Sequence, residues 1–100
     1  MSHNYLNLLG LAFRARKITL GEEAIIDAIR SQQAKLVIIA GDASQNTTKK
    51  LTDKCRSYNV PFRIADDRNT LSQAIGKQGR VAIAVNDEGF SNKLMQLLPE

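Results

Sequence analysis

Apolar residues recur along the chain with two periods, and the two alternate. Leu6, Leu9 and Phe13 fall at i, i+3 and i+7, one face of a helix that Asn4 caps and that runs to about Ala15. Gly10 lies inside it at a cost of ~1 kcal/mol against alanine, so a close packing contact is expected there. Lys17-Ile18-Thr19 is a short extended piece, and Thr19 with Glu22 forms a T-x-x-E capping box. The helix behind it shows Ala24, Ile25, Ala28 and Ile29 on one face. AKLVIIAG then breaks the helical period. It is apolar and rich in β-branched residues without alternation, which predicts a central strand covered on both faces.

The second half repeats the alternation. A helix is predicted from about Gln45 to Ser57, with Leu51, Cys55 and Tyr58 inward, and Asn59-Val60-Pro61 stops it. Phe62 to Ala65 reads as a short strand. Asp67 or Thr70 caps a small helix that buries Leu71, Ala74 and Ile75 and ends at Gly76. After the loop Lys77-Gln78-Gly79-Arg80 comes the strand Val81–Val85. Asn86 caps a last helix, with Asp87 and Glu88 in its first turn, where they favour the helix dipole. Its apolar face is Phe90, Leu94, Leu97 and Leu98, and Pro99 ends it. Alternating helices and apolar strands specify an α/β fold, a three-layer α/β/α sandwich in one domain spanning residues 1–100.

Composition narrows the function. The chain holds 14 Lys and Arg against 10 Asp and Glu, a net charge of +4 that favours a polyanionic partner. One cysteine forms no internal disulfide, which fits a reducing compartment and a cytoplasmic protein. With one His and one Cys, the usual nitrogen and sulfur ligands of zinc cannot be assembled, and no cofactor is implied. No apolar run approaches the ~18–20 residues needed to span a membrane, and MSHNYLNLLG lacks the features of a signal peptide.

Catalytic chemistry finds little support. Cys55 stands between Lys54 and Arg56, but neighbours in sequence do not face each other on a helix, so it reads as a buried small hydrophobe. Glu22-Glu23 and Asp66-Asp67 are adjacent pairs whose side chains diverge, suited to capping or solvated roles. Gly76-Lys77 lacks the glycine-rich lead of a phosphate loop, and His3 stands near the terminus. Binding has more to offer. Arg14, Arg16 and Lys17 lead into the helix start at Gly21-Glu22-Glu23, and the Lys77–Arg80 loop adds two cations. These three elements are expected to converge at one end of the sandwich. Cations hold phosphates, a carboxylate at a helix start accepts from base amino groups, and glycines allow close approach. In the alternative, the cations only cover the surface and Glu22 caps its own helix.

LGLAFRARK, LGEEAIIDAIRSQQAKLVIIAGDAS, LTDKCRSYNVPF and LSQAIGKQGRVAIAV, in this order, resemble the kink-turn-binding ribosomal proteins of the L-seven-Ae and L-thirty-e type. The resemblance covers nearly the whole chain. It implies a mixed four-stranded central sheet and RNA binding without catalysis. In that family the start of the second helix enters the RNA major groove at tandem sheared G·A pairs, and the loop before the last strand covers a flipped-out nucleotide. Gly21 matches the glycine of the family's Gly-x-Asn-Glu-x-x-Lys motif. Glu23 stands where the asparagine would be, Ala24 where the glutamate would be and Asp27 where the lysine would be. Lys77-Gln78-Gly79-Arg80 replaces a mostly apolar loop. The expected interface is Gly21 for close approach, Glu22 and Glu23 for base edges or the helix cap, Arg16, Lys17, Lys77 and Arg80 for phosphates, and Gln78 and Gly79 near the bulge. The expected partner is a kink-turn or other structured RNA, ribosomal or regulatory, bound by a monomer of bacterial ribonucleoprotein type that associates with the ribosome. The competing expectation is a ribosome- or transcription-associated protein-interaction module on the same fold.

Overall fold

The apolar run at Leu36 forms an inner strand of a four-stranded sheet. The computed structural model describes residues 4–99, with side chains from Tyr5 onward, so the roles expected of Asn4 and His3 lie outside those described. The elements are α1 (Asn4–Arg14), β1 (Ile18–Leu20), α2 (Glu22–Arg30), β2 (Leu36–Ile39), α3 (Gln45–Ser57), β3 (Phe62–Ile64), α4 (Arg68–Ala74), β4 (Ala82–Val85) and α5 (Glu88–Leu97). The strand order is β1-β4-β2-β3. β4 runs antiparallel to both β1 and β2, while β3 is parallel to β2, so the sheet is mixed.

β2 and β4 are buried along their whole length, and their side chains alternate between two cores. Leu36, Ile38, Ile83 and Val85 face Tyr5, Leu9, Leu71 and Leu94 of α1, α4 and α5, and Ile75, which ends α4. Val37, Ile39, Ala82 and Ala84 face Ile25, Ile29, Leu51 and Cys55, which come from α2 and α3. This two-sided burial is what an unbroken apolar strand requires. Gly10 is explained by contact: a Cβ there would stand 2.7 Å from the Ala74 carbonyl oxygen, so α1 and α4 cross at backbone range.

Several local expectations are corrected. Thr19 and Glu22 form no capping box. Thr19 is held in β1, where its Oγ1 accepts from Asn86 Nδ2 at 2.7 Å, and no side chain caps α2. That bond also takes Asn86 away from the last helix, whose cap is Asp87, accepting from Phe90 N at 2.8 Å. Asp67, not Thr70, caps α4 and accepts from Thr70 N at 2.8 Å. Ala24, Tyr58 and Leu97 are exposed rather than inward. Ala24 lies on the open side of the first turn of α2, Tyr58 is the residue that ends α3, and Leu97 sits one position off the Leu94–Leu98 stripe. The inner face of α1 is Tyr5, Leu9 and Ala12, with Leu6 and Phe13 half-buried at its edges.

Candidate nucleic-acid interface

β1 ends at Leu20, opposite Ile83 in β4. Gly21 follows with φ 94°, a left-handed conformation that glycine adopts without strain. The space where its Cβ would sit is open, so the backbone angle and not crowding requires the glycine. The chain turns directly into α2, with Ile25 N donating to Gly21 O at 2.8 Å. The N–H groups of Glu22, Glu23 and Ala24 precede that first helical bond and have no intrahelical acceptor. No side chain caps this helix start, and the carboxylates of Glu22 and Glu23 belong to the same turn.

The Leu20–Ile83 register brings Gly21 against the chain that leads into β4. Between them lies a cleft of about 160 Å³, lined by Gly21, Glu22 and Ile25, by Thr47 and Leu51 of α3, and by Gly79 to Ala82. The loop forming its far wall is clasped at its base. Buried Ser72 on α4 accepts from Arg80 N at 2.8 Å, and its hydroxyl donates to Arg80 O at 3.2 Å. Lys77 N donates to Ser72 O at 2.9 Å, and Lys77 Nζ rests 5.5 Å from the centre of the Phe13 ring. Gly76 and Gly79 turn the loop at φ 72° and 68°.

Lys49, Lys50, Arg56 and Arg68 each pair with a carboxylate. Among the described residues the other cations form no ion pair: Arg14, Arg16, Lys17, Lys77 and Arg80 near the proposed interface, and Arg30, Lys35, Lys54, Arg63 and Lys93 elsewhere; Arg80 Nε, like Arg63 Nε, is buried without a partner. Glu22 does not cap its helix. Its Oε2 lies 2.8 Å from Lys50 Nζ, and Thr47 Oγ1 donates to Oε1 at 3.3 Å. The bond from the Lys50 ammonium holds the Glu22 carboxyl below its usual range, and the Lys50 charge and Thr47 act in the same direction.

The expected convergence is therefore partial. Gly21, Glu22, Gly79 and Arg80 meet in the cleft. Lys77 and Gln78 are exposed on the loop beside it. Glu23 faces the outer groove of α2 with Asp27, Arg30 and Lys50. Arg14 lies beside Gln73 and Ala74 of α4. Arg16 and Lys17 do not reach the cleft. Lys17 O accepts from Asn86 N at 2.8 Å, at the end of β4 away from Arg80. Four strand steps separate Lys17 from Gly21, about 13 Å. Thr47, Lys50, Leu51 and Ser72 also belong to the site, and the sequence alone does not mark them. The signal for the first three is the spacing 47, 50, 51 on one side of α3, which acquires meaning only once α2 is set beside it; Ser72, on α4, carries no such signal.

The chemically capable groups are otherwise engaged. Cys55 is fully buried, and burial pushes its thiol up to about 11, so it stays protonated and inaccessible. Asp66 accepts from the Tyr5 hydroxyl, and Asp67 caps α4. The described residues hold no group of three or more His, Cys, Asp or Glu placed to bind a metal ion, and no helix is long and apolar enough to cross a membrane.

Fold and cleft together define a small α/β/α domain that presents an uncapped helix start and a basic loop side by side. The chain belongs to the ribosomal protein L7Ae/L30e/S12e/Gadd45 family, whose model matches residues 3–95. It is 54% identical over 91 residues to the RNA-binding protein YlxQ of Bacillus subtilis, covering 91% of each chain. It is 43% identical over 93 residues to the RNA-binding protein YlxQ of Enterococcus faecium, covering 93% of this chain and 89% of that one. A solved structure of a Bacillus halodurans protein of unknown function matches with a TM-score of 0.92 at 49% identity, covering 94% of this chain and 95% of that one.

Proposed function

We propose that this protein binds structured RNA without catalysing a reaction on it, and that its partner is a kink-turn in ribosomal or regulatory RNA. The observation that carries this is the cleft, where the open start of α2 faces an arginine that pairs with no carboxylate among the described residues. Two relatives named as RNA-binding proteins share about half of the sequence or somewhat less over nearly the same length. Gly21 gives the nucleic-acid backbone close approach. The free N–H groups of α2 take a phosphate or a base acceptor, and the carboxylates of Glu22 and Glu23 accept from base amino groups. Lys77 and Arg80 hold phosphates beside the cleft, and Gln78 and Gly79 stand near an unstacked nucleotide. Arg16 and Lys17 hold a more distant stretch of the strand. We place the protein in the cytoplasm as a monomer that associates with the ribosome; the free thiol of Cys55 fits the reducing compartment.

The test is a titration with a standard kink-turn duplex at near-physiological salt, beside the same duplex with its G·A pairs changed to Watson–Crick pairs. The expected preference is ~100-fold, about 2.7 kcal/mol. Equal and salt-sensitive binding to both would mean that base reading is lost, and would favour a protein-interaction module on the same fold. Replacing Lys77 and Arg80 together by alanine is expected to lower affinity and to flatten the salt dependence by roughly 0.7–0.9 per lost phosphate contact. An unchanged slope removes that loop from the interface.

A further inference from the structure

Glu22 belongs to the first turn of α2, yet its carboxylate reaches across to α3. Both of its partners there, Thr47 and Lys50, lie one turn apart on that helix. The carboxylate is strapped over the seam between the two helices. Glu22 also lines two concavities at once. One is the cleft that faces Arg80, and the other is the outer groove of α2, where Lys50 meets Glu23, Asp27 and Arg30.

That groove holds three carboxylates and two cations, so a polyanion approaching it meets repulsion unless a cation turns outward. Lys50 is placed to do so. Its side chain is 48% exposed, and its four-carbon stem lets the ammonium move while the stem stays on α3. A phosphate and the Glu22 carboxylate compete for this one ammonium. If the phosphate takes it, Glu22 keeps only the Thr47 hydroxyl and gains free lone pairs at the mouth of the cleft.

We propose that Lys50 is a specificity-determining residue of the interface: RNA draws its ammonium from Glu22 to a phosphate, and the released carboxylate takes a base edge. This rests on the RNA-binding function above. Phosphate contact and base contact are then coupled through one ion pair, so an RNA that offers the phosphate without the right base leaves a bare carboxylate in the cleft.

Lys50→Met, Lys50→Arg, Glu22→Gln and the Glu22→Gln/Lys50→Met double variant are titrated with the kink-turn duplex and its Watson–Crick control over a range of salt. Lys50→Met is expected to bind the kink-turn roughly fivefold more weakly, with a salt slope lower by roughly 0.7–0.9, and Lys50→Arg to restore both. Glu22→Gln, which frees Lys50, is expected to bind the control more tightly and to lose discrimination by ~10-fold. The double variant should lose less than the two single changes combined, because the groups act as a pair. Wild-type affinity and slope in Lys50→Met, with the wild type still preferring the kink-turn, overturn the inference alone and leave Lys50 as a structural strap. A wild type that binds neither duplex overturns the kink-turn reading and this inference with it.

Discussion

Replacing Leu51 with alanine is expected to lower the unfolding free energy by about 3–4 kcal/mol and to weaken RNA discrimination in the same variant. Leu51 is fully buried, so the change removes several methyl and methylene groups and leaves a cavity. It packs in the α2–α3 core with Ile25, Val37 and Cys55, and it also forms part of the floor of the cleft. The loss therefore falls in the wall that fixes the distance from α2 to the Arg80 loop. For a domain of this length it corresponds to a fall in melting temperature of roughly 12 °C or more. Denaturant unfolding followed by circular dichroism measures the first effect, and the kink-turn titration below the new melting point measures the second. A loss under about 1 kcal/mol would show that α2 and α3 are held together elsewhere.

Gly10→Val should be nearly as damaging, from the opposite side of the sheet. Helix propensity alone favours replacing a mid-helix glycine, by ~1 kcal/mol for alanine. Here the added Cβ would stand 2.7 Å from the Ala74 carbonyl oxygen, a backbone atom that cannot swing aside. α1 must move off α4, and a branched side chain enlarges the displacement. The expected cost is about 3 kcal/mol or more for valine and about 1–2 kcal/mol for alanine. An alanine variant as stable as the parent would mean that the two helices separate freely. The damage does not stop at stability. α4 carries Ser72, whose hydroxyl clasps both backbone groups of Arg80, so a displaced α4 carries the loop with it.

What was legible in the sequence follows the range of the interactions. AKLVIIAG announced a doubly covered strand because burial on two faces leaves no polar position, and the period around Leu9, Ile25 and Leu94 announced helices for the same local reason. The mixed order of the strands came with the family resemblance and not with any period. The helix starts misled. Thr19 and Asn86 have cap-forming side chains in cap-like places, but they bond to each other across β1 and β4, which are more than sixty residues apart in the chain. Gly21 and Arg80 both stand out in the sequence, but the Leu20–Ile83 register that joins them is equally remote in sequence. Lys50 gave no sign of its own, since a lysine on an exposed helix face looks the same whether or not a carboxylate from another helix leans against it.

The cleft is mounted across two separately packed halves. Its α2 wall is anchored in the core shared with α3, whereas its loop wall hangs from α4, which belongs to the core on the other side of the sheet. The sheet joins these mountings, and Ala82 of the loop wall enters the α2 core where β4 begins, so the cleft behaves like the jaws of a caliper whose frame is β4. Any change that slides one layer against the other alters the gap without touching a residue that lines it. Affinity for RNA then becomes a gauge of how the two halves of the molecule are seated.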